Sequence, residues 1–446
     1  MPFRHRVLWA LVIVVCVLLL TAPALWNHFP LLQWDTGGYL ARWYEGTLVP
    51  SRAVIYGLLL TAGAPFSFWP VVVVQAALTV WIVALMLRAH GLGKQPLLLT
   101  GSIAALAITT TLPWLTAILL TDIFCGLGVL ALYLLLMRGE RVRRGERIGL
   151  IVLIAVAAAT HSATYALLVG LTFCAVLLSF SKRLPLRRVG HGVGALALGA
   201  VLVLAADYAV AGRLAWTPGG FALSFGRMLQ DGIVTKYLDE HCPDPRLKLC
   251  AHKEQLPSGA DEWFWGSNLF DRLGRFAGLG GEMKTIALES LIDYPGQQFE
   301  SAVSDTARQL IAVHTGEGVL NSIWHTYRII DLYTPRLSPA VRAARQQQGE
   351  ISLTGVNRLQ YPAALAAMAL LPLLVLLAWR GRIPAEIGEL AAASVLTLLG
   401  NAFICGVLSN PHDRYGARVA WLAFLVVIVA LARLAADRLG RAKDFP

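Results

Sequence analysis

Asp35 stands in the stretch WDTGGY, between an aromatic residue and two glycines, just past an apolar run over 7–25. A carboxylate so placed can reach water and act as a general base, taking the proton of a hydroxyl. Asp122 in LLTDIFCGL, His161 in AATHSATY and Arg52 in PSRAVIYGL are further polar side chains at the ends of apolar segments. Late in the chain, Asn410-Pro411 stops one apolar run and HDRYGARVAWL begins the next. Arg414 and Arg418 are four positions apart, so on a helix they share a face one turn apart. Two like charges in that relation repel unless an anion lies between them. Guanidinium forks match phosphate oxygens, and at a membrane surface a lipid phosphate is the obvious anion.

Each residue also has a plainer reading. Asp35 can be a turn residue before GG, and Thr121 or Asp122 can cap a helix. His161 can bond a neighbouring carbonyl, Arg52 can anchor an interfacial segment, and Asp413 or another carboxylate can neutralise the arginines. Taken together, one exposed carboxylate, a pair of arginines and an apolar groove suit transfer of a sugar from a polyprenyl phosphate. The phosphate leaves readily once its charge is stabilised, so one carboxylate suffices as base for an acceptor hydroxyl.

The elements that must position these groups follow from composition. With 57% hydrophobic and 15% charged residues over 446 positions, the chain is too apolar for one water-facing core, and several runs reach the roughly twenty residues that cross a bilayer. The reading is an all-α polytopic membrane protein of about ten transmembrane helices. Spans are expected at 7–25, 69–87, 96–112, 121–137, 148–161, 163–181, 192–212, 359–379, 386–408 and 415–434. The first run is preceded by Arg4 and Arg6 and followed by Thr21-Ala22-Pro23-Ala24, features a signal peptide shares, but it is long for one and is read as a span.

With the N-terminus inside, RHR, RAHGLGK, RGERVRRGER, SKRLPLRR, RGR and the tail with Arg438, Arg441 and Lys443 all fall on the cytoplasmic side, as the positive-inside rule asks. The net charge of +11 is then mainly a topology signal with some attraction to membrane lipids. Its scatter over short loops excludes a nucleic-acid footprint. Short loops and the lack of organelle addresses point to a bacterial inner membrane.

Three parts result: seven spans in 1–212, a large, mainly helical external (periplasmic) insertion in 213–357, and three spans with a basic tail in 358–446. In the insertion, Ala277–Ile292 and Phe299–His314 read as amphipathic helices, and GLGG at 278–281 reads as a flexible turn. Cys242 and Cys250 flank PDPRLKL and can close a small disulfide loop in an oxidising compartment. Cys16, Cys125, Cys174 and Cys405 lie in apolar spans, as small buried hydrophobes do. No cofactor or metal is expected, because the chain holds no phosphate loop, dinucleotide turn or zinc-ligand spacing.

On WDTGGY, TDIF and the long late insertion, the sequence resembles the C-type membrane glycosyltransferases, such as protein mannosyltransferases and the aminoarabinose transferase of lipid A. The likeness is best over 8–185. It implies Asp35 as the catalytic acidic residue of the first external loop and Asp122 as a pocket residue at the outer end of the fourth span. DRYGARV is similar in place to late arginines near the donor phosphate. Where many members carry paired acids in the first loop, this chain has Asp35 alone, with Glu45 ten residues on. The implied partners are a polyprenyl-phosphate-linked sugar and a lipid, glycan or protein acceptor. The competing readings are a transporter or lipid flippase using His161 and Asp122 as a proton relay, a surface-polysaccharide ligase or polymerase using His161, His314, His325 and Arg328, and a non-catalytic assembly factor.

Overall fold

The structure is a computed structural model that describes residues 3–49, 52–181, 184–216 and 220–443. Pro50, ahead of Arg52, and the basic residues Lys182 and Arg183 lie outside the described residues. Secondary structure is helical throughout the described residues, apart from one parallel bridge between Leu31 and Ile118.

The chain runs as α1 (Phe3–Asn27), α2 (Trp34–Glu45), α3 (Ile55–Gly63), α4 (Trp69–Ala89), α5 (Pro96–Thr109), α6 (Leu112–Ala117), α7 (Asp122–Met137), α8 (Arg144–Thr160), α9 (Ser162–Phe180) and α10 (Leu186–Ala211). After these come α11 (Gly220–Gln230), α12 (Ile233–His241), α13 (Asn268–Arg272), α14 (Arg275–Asp293), α15 (Pro295–Ile311), α16 (Trp324–Tyr333) and α17 (Ser338–Ala343). The last three are α18 (Thr354–Trp379), α19 (Ala385–Leu408) and α20 (Asp413–Lys443). Among the described residues seven helices, α1, α4, α9, α10, α18, α19 and α20, are long and apolar enough to cross a membrane. They mark the chain as an integral membrane protein.

The other three expected spans are helices too, but shorter. With 14, 16 and 17 residues, α5, α7 and α8 reach only about 21–26 Å at 1.5 Å per residue, against a hydrocarbon core of about 30 Å. Even so, α7 is the most enclosed of all, buried from Asp122 to Leu136 and packed on α4, α8, α9, α10 and α20. Gly126 lets it approach α20, since a Cβ there would lie 2.6 Å from the Trp421 ring.

The segment between α10 and α18 has a core of its own, in which Phe225, Trp263, Phe270 and Met283 are fully buried. The two expected amphipathic helices are α14 and α15. GLGG at 278–281 is not a turn: it lies inside α14, carried by the apolar face that buries Leu279, Met283 and Ile286. Cys242 and Cys250 are joined by a disulfide. Arg227 on α11 ties this segment to the spans by donating to the Val407 carbonyl at the end of α19 (3.1 Å) and to Gln298 on α15 (2.8 Å).

Where α15 meets the start of α20, backbone touches backbone. A Cβ on Gly416 would lie 2.0 Å from the Ala312 carbonyl oxygen, closer than any real contact. We therefore expect Gly416→Ala to force α20 away from residue 312 at a cost of about 1–3 kcal/mol, measured as a lower midpoint of thermal unfolding in detergent. An unchanged midpoint would show that this close approach does not hold the helices.

Candidate functional site: an ion-paired cluster at the helix ends

Asp35 is positioned by the local chemistry of α2. Gln33 caps the helix, its side chain accepting from the Asp35 N–H (2.7 Å) while Thr36 Oγ accepts from the Gln33 N–H (2.9 Å). The two glycines that read as a turn are helical. Their missing side chains admit neighbours: a Cβ on Gly37 would lie 2.7 Å from the Thr326 Cα of α16, and one on Gly38 would lie 2.9 Å from Arg52 Nε. Thr326 fixes the turn from outside, accepting from the Gly37 N–H and donating to the Gln33 and Trp34 carbonyls (3.0 and 2.9 Å).

The bridge between Leu31 and Ile118 draws this turn to the start of α7. Leu31 N–H donates to the Ala117 carbonyl (3.0 Å), Leu119 N–H to that of Leu31 (2.9 Å) and Thr36 Oγ to that of Leu119 (3.0 Å). Asp122 follows as the first residue of α7, where the helix dipole favours a negative charge. No side-chain cap bond forms there, so the capping reading of Thr121 or Asp122 is replaced by an ionic one.

The third part is the start of α20. Its backbone is gripped by the last turn of α15 and the loop that follows: Gln309 exchanges hydrogen bonds with the His412 backbone (2.9 and 2.8 Å), and Glu317 accepts from the Arg414 N–H (2.7 Å). Asp413 accepts from the His314 backbone and ring (2.8 Å each), so it does not neutralise the arginines.

Two other carboxylates do. Arg414 donates through Nε to Asp122 (2.8 Å) and through Nη1 to Asp35 (2.6 Å), while Arg52 pairs with the other Asp35 oxygen. Arg418 stands deeper, with Nη1 3.9 Å from Asp122 Oδ1. It donates to Asn401 Oδ1 (3.0 and 2.8 Å) and to the Cys405 sulfur (3.1 Å). Exposure falls from 22% at the Asp35 side chain through 11% at Arg414 to zero at Arg418. The expected phosphate pair is thus split: Arg414 faces the opening, and Arg418 is a buried counter-charge behind Asp122.

Burial alone would raise the pKa of Asp35, but Arg52 and Arg414 outweigh it and hold the carboxyl well below the usual carboxylate range. His161 caps α9, its Nδ1 accepting from the Ala163 N–H (3.2 Å), and it feels the charges of Arg418 and Arg414. That bond is to an amide and not to a carbonyl. Of the alternative set, His314 stacks on Tyr361 (centroids 3.9 Å), while His325 and Arg328 are exposed on α16.

Four residues carry no sequence signal of their own in this arrangement: Thr326, Glu317, Asn401 and His412. His412 bridges Glu317 (2.6 Å) and Asp261 (3.5 Å). Burial opposes its charge, but the two carboxylates prevail and its pKa is pushed up to about 9. Among the described residues no group of three or more His, Cys, Asp or Glu side chains could hold a metal ion. No known protein family, curated protein or solved structure matches this chain.

Two expectations follow. Asp122→Ala leaves Arg414 and Arg418 short of a buried counter-charge and should cost about 3–5 kcal/mol, seen as a large fall in thermal midpoint; a small fall would mean the arginines find another partner. Because His412 has a raised folded-state pKa, its contribution is complete below about pH 6.5, its ordinary value, and is lost as pH rises through about 9. Thermal midpoints of the wild type should fall across that window, and those of His412→Asn should not show that component.

Proposed function

We propose that the chain is a membrane glycosyltransferase of the C type, which moves a sugar from a polyprenyl-phosphate donor to an acceptor hydroxyl on the external face. The observation that carries this reading is the meeting of Asp35, Arg52, Asp122 and Arg414 at one set of helix ends, with Asp35 and Arg52 the outermost pair and Arg414 just beneath. In this reading ten helices cross the membrane, α5, α7 and α8 completing the seven long ones. Both termini are cytoplasmic, the membrane is the bacterial inner membrane, and the segment over 213–357 is a periplasmic cap. A short α7 leaves its charged first turn recessed below the headgroups, within reach of a lipid-borne phosphate.

The donor phosphate takes the place of the Asp35 carboxylate on Arg414 and Arg52, which present donors in the fork geometry phosphate needs. Released from one or both arginines, Asp35 regains basicity. It accepts the proton of the acceptor hydroxyl, whose oxygen forms the new bond to the anomeric carbon. The bond from that carbon to the phosphate oxygen breaks, and its electron pair leaves on polyprenyl phosphate, stabilised by the two arginines. Asp122 and Arg418 stay paired beneath and keep Arg414 aimed at the opening.

Purified protein with radiolabelled polyprenyl-phosphate sugars tests this. Asp35→Asn should bind donor more tightly than wild type, because no carboxylate has to be displaced from the two arginines, and lose transfer by about 10²–10⁴-fold, the usual weight of a general base. If wild type binds no polyprenyl-phosphate sugar, or Asp35→Asn transfers at the normal rate, the reading fails.

A further inference from the structure

Among its neighbours α15 is turned inside out. Its buried residues are Gln298, Asp305 and Gln309, all polar, and their partners lie within the protein: Gln298 accepts from Arg227, and Gln309 bonds the His412 backbone. Its apolar residues point the other way. Phe299 and Val303, four positions apart, are 72% and 56% exposed, and Ala307 and Ile311 continue the series, exposed as well. With 3.6 residues per turn, such a series makes a stripe that winds slowly round the helix. The series one residue on is polar, with Glu300 and Arg308 exposed and Ser304 half-buried between them. A helix that covers a water-facing core carries the opposite arrangement, apolar inward and polar outward.

The place where α15 leans on the rest of the molecule says what covers the stripe. It packs on α19, one of the seven long apolar helices, close enough that a Cβ on Gly406 would lie 2.7 Å from the Asp305 carbonyl oxygen and 3.2 Å from the Gln309 Cβ. Gly406 lies two residues before the end of α19 at Leu408. A helix of 24 residues is about 36 Å long, against a hydrocarbon core of about 30 Å, so its last turn sits at the edge of the bilayer. The exposed side chains of α19 include Leu396, Leu399 and Phe403, which fall on one face, the face a membrane covers. Gly406 is three positions from Phe403 and therefore its neighbour on the helix surface. The contact with α15 thus borders the lipid-facing stripe of α19, at the depth where hydrocarbon gives way to headgroups. Just before α15, the end of α14 adds Leu288, Leu291 and Ile292, all exposed.

From this continuity we propose that α15 is an interfacial helix, lying on the membrane at the C-terminal end of α19 with Phe299, Val303 and Ile311 sunk among the lipid chains of that leaflet. The three sectors of the helix then each have a medium: Gln298, Asp305 and Gln309 the protein, Phe299 and its series the acyl chains, Glu300 and Arg308 the headgroups and water. Helices of this two-sided kind bury their apolar face about 5–10 Å into the boundary between headgroups and chains. The segment between α10 and α18 is in this way held to the bilayer by more than its two connections to spanning helices. The same helix grips the start of α20 through Gln309, so the membrane surface sets the depth of the helix end that carries Arg414. The inference needs only that α19 crosses the membrane and is independent of the transferase reading.

Full-length protein in phosphatidylcholine nanodiscs tests this. Cys174→Ser leaves only native cysteines that are buried or in the disulfide, and Phe299→Cys, Val303→Cys, Arg308→Cys or Lys248→Cys then carries a nitrobenzoxadiazole label. Labels at 299 and 303 should emit to the blue of those at 308 and 248, and 5-doxyl phosphatidylcholine should quench them about threefold more strongly, as burial of about 5–10 Å implies. Wild-type protein with no added cysteine provides a second measurement: a diazirine-bearing phosphatidylcholine should cross-link to peptides covering 288–311. If labels at 299 and 303 report water as those at 308 and 248 do, the proposal is overturned. A dry site that the doxyl lipid leaves unquenched, as a second copy of the chain or another protein would give, overturns it too, and so does the absence of lipid adducts over 288–311.

Discussion

The structure depends on a single constraint: charges taken under the rim of the helix ends must be neutralised by other charges. Arg414 meets it by pairing with Asp122 and Asp35, partners 292 and 379 positions away in the chain. In a poorly hydrated interior an unpaired guanidinium is far costlier than a paired one. The start of α20 therefore cannot leave the starts of α2 and α7 without exposing that cost. The bridge at Leu31, the glycine contacts of α2 and the grip of Gln309 and Glu317 on α20 all converge on keeping these three helix ends together.

Much of the fold is legible in the sequence, because long apolar runs bounded by basic clusters have few alternatives to spanning helices. All ten expected segments are helical. The runs show relative length too: the spans expected at 96–112, 121–137 and 148–161 are the shortest of the ten, and their helices α5, α7 and α8 fall short of the seven long ones. Glycine was the least legible residue. In WDTGGY and in GLGG it serves helix–helix approach or simply continues a helix, while sequence alone reads it as a turn.

The site was legible in its charges and opaque in its pairing. Asp35, Arg52, Asp122 and Arg414 stand out as charges at the ends of apolar runs, and they meet. The four-residue spacing of Arg414 and Arg418 correctly demands an anion between them. Sequence offers either a lipid phosphate or a carboxylate as that anion, and the structure uses a carboxylate, Asp122, from a helix whose proximity only the fold creates. Thr326 and Glu317 were invisible because both lie in the segment between α10 and α18, where hydroxyl and carboxylate residues are common and nothing marks these two apart.

A carboxylate clamped by two guanidiniums is a poor base, and this bears on how such a cluster can work at all. If Asp35 were to act as it stands, its depressed pKa would cost proton affinity at the step that needs it. The arrangement makes chemical sense when the clamp is conditional, with an incoming anion competing for the same donors. Donor binding is then weakened by the need to displace a carboxylate, yet the same displacement switches the carboxylate on. Coupling of this kind orders the events, donor before proton transfer, and keeps an exposed base from acting on water when no donor is bound. The inner pair of Asp122 and Arg418, sealed from solvent, supplies what the exchange requires: a fixed charge that holds Arg414 in place while its outer partner changes.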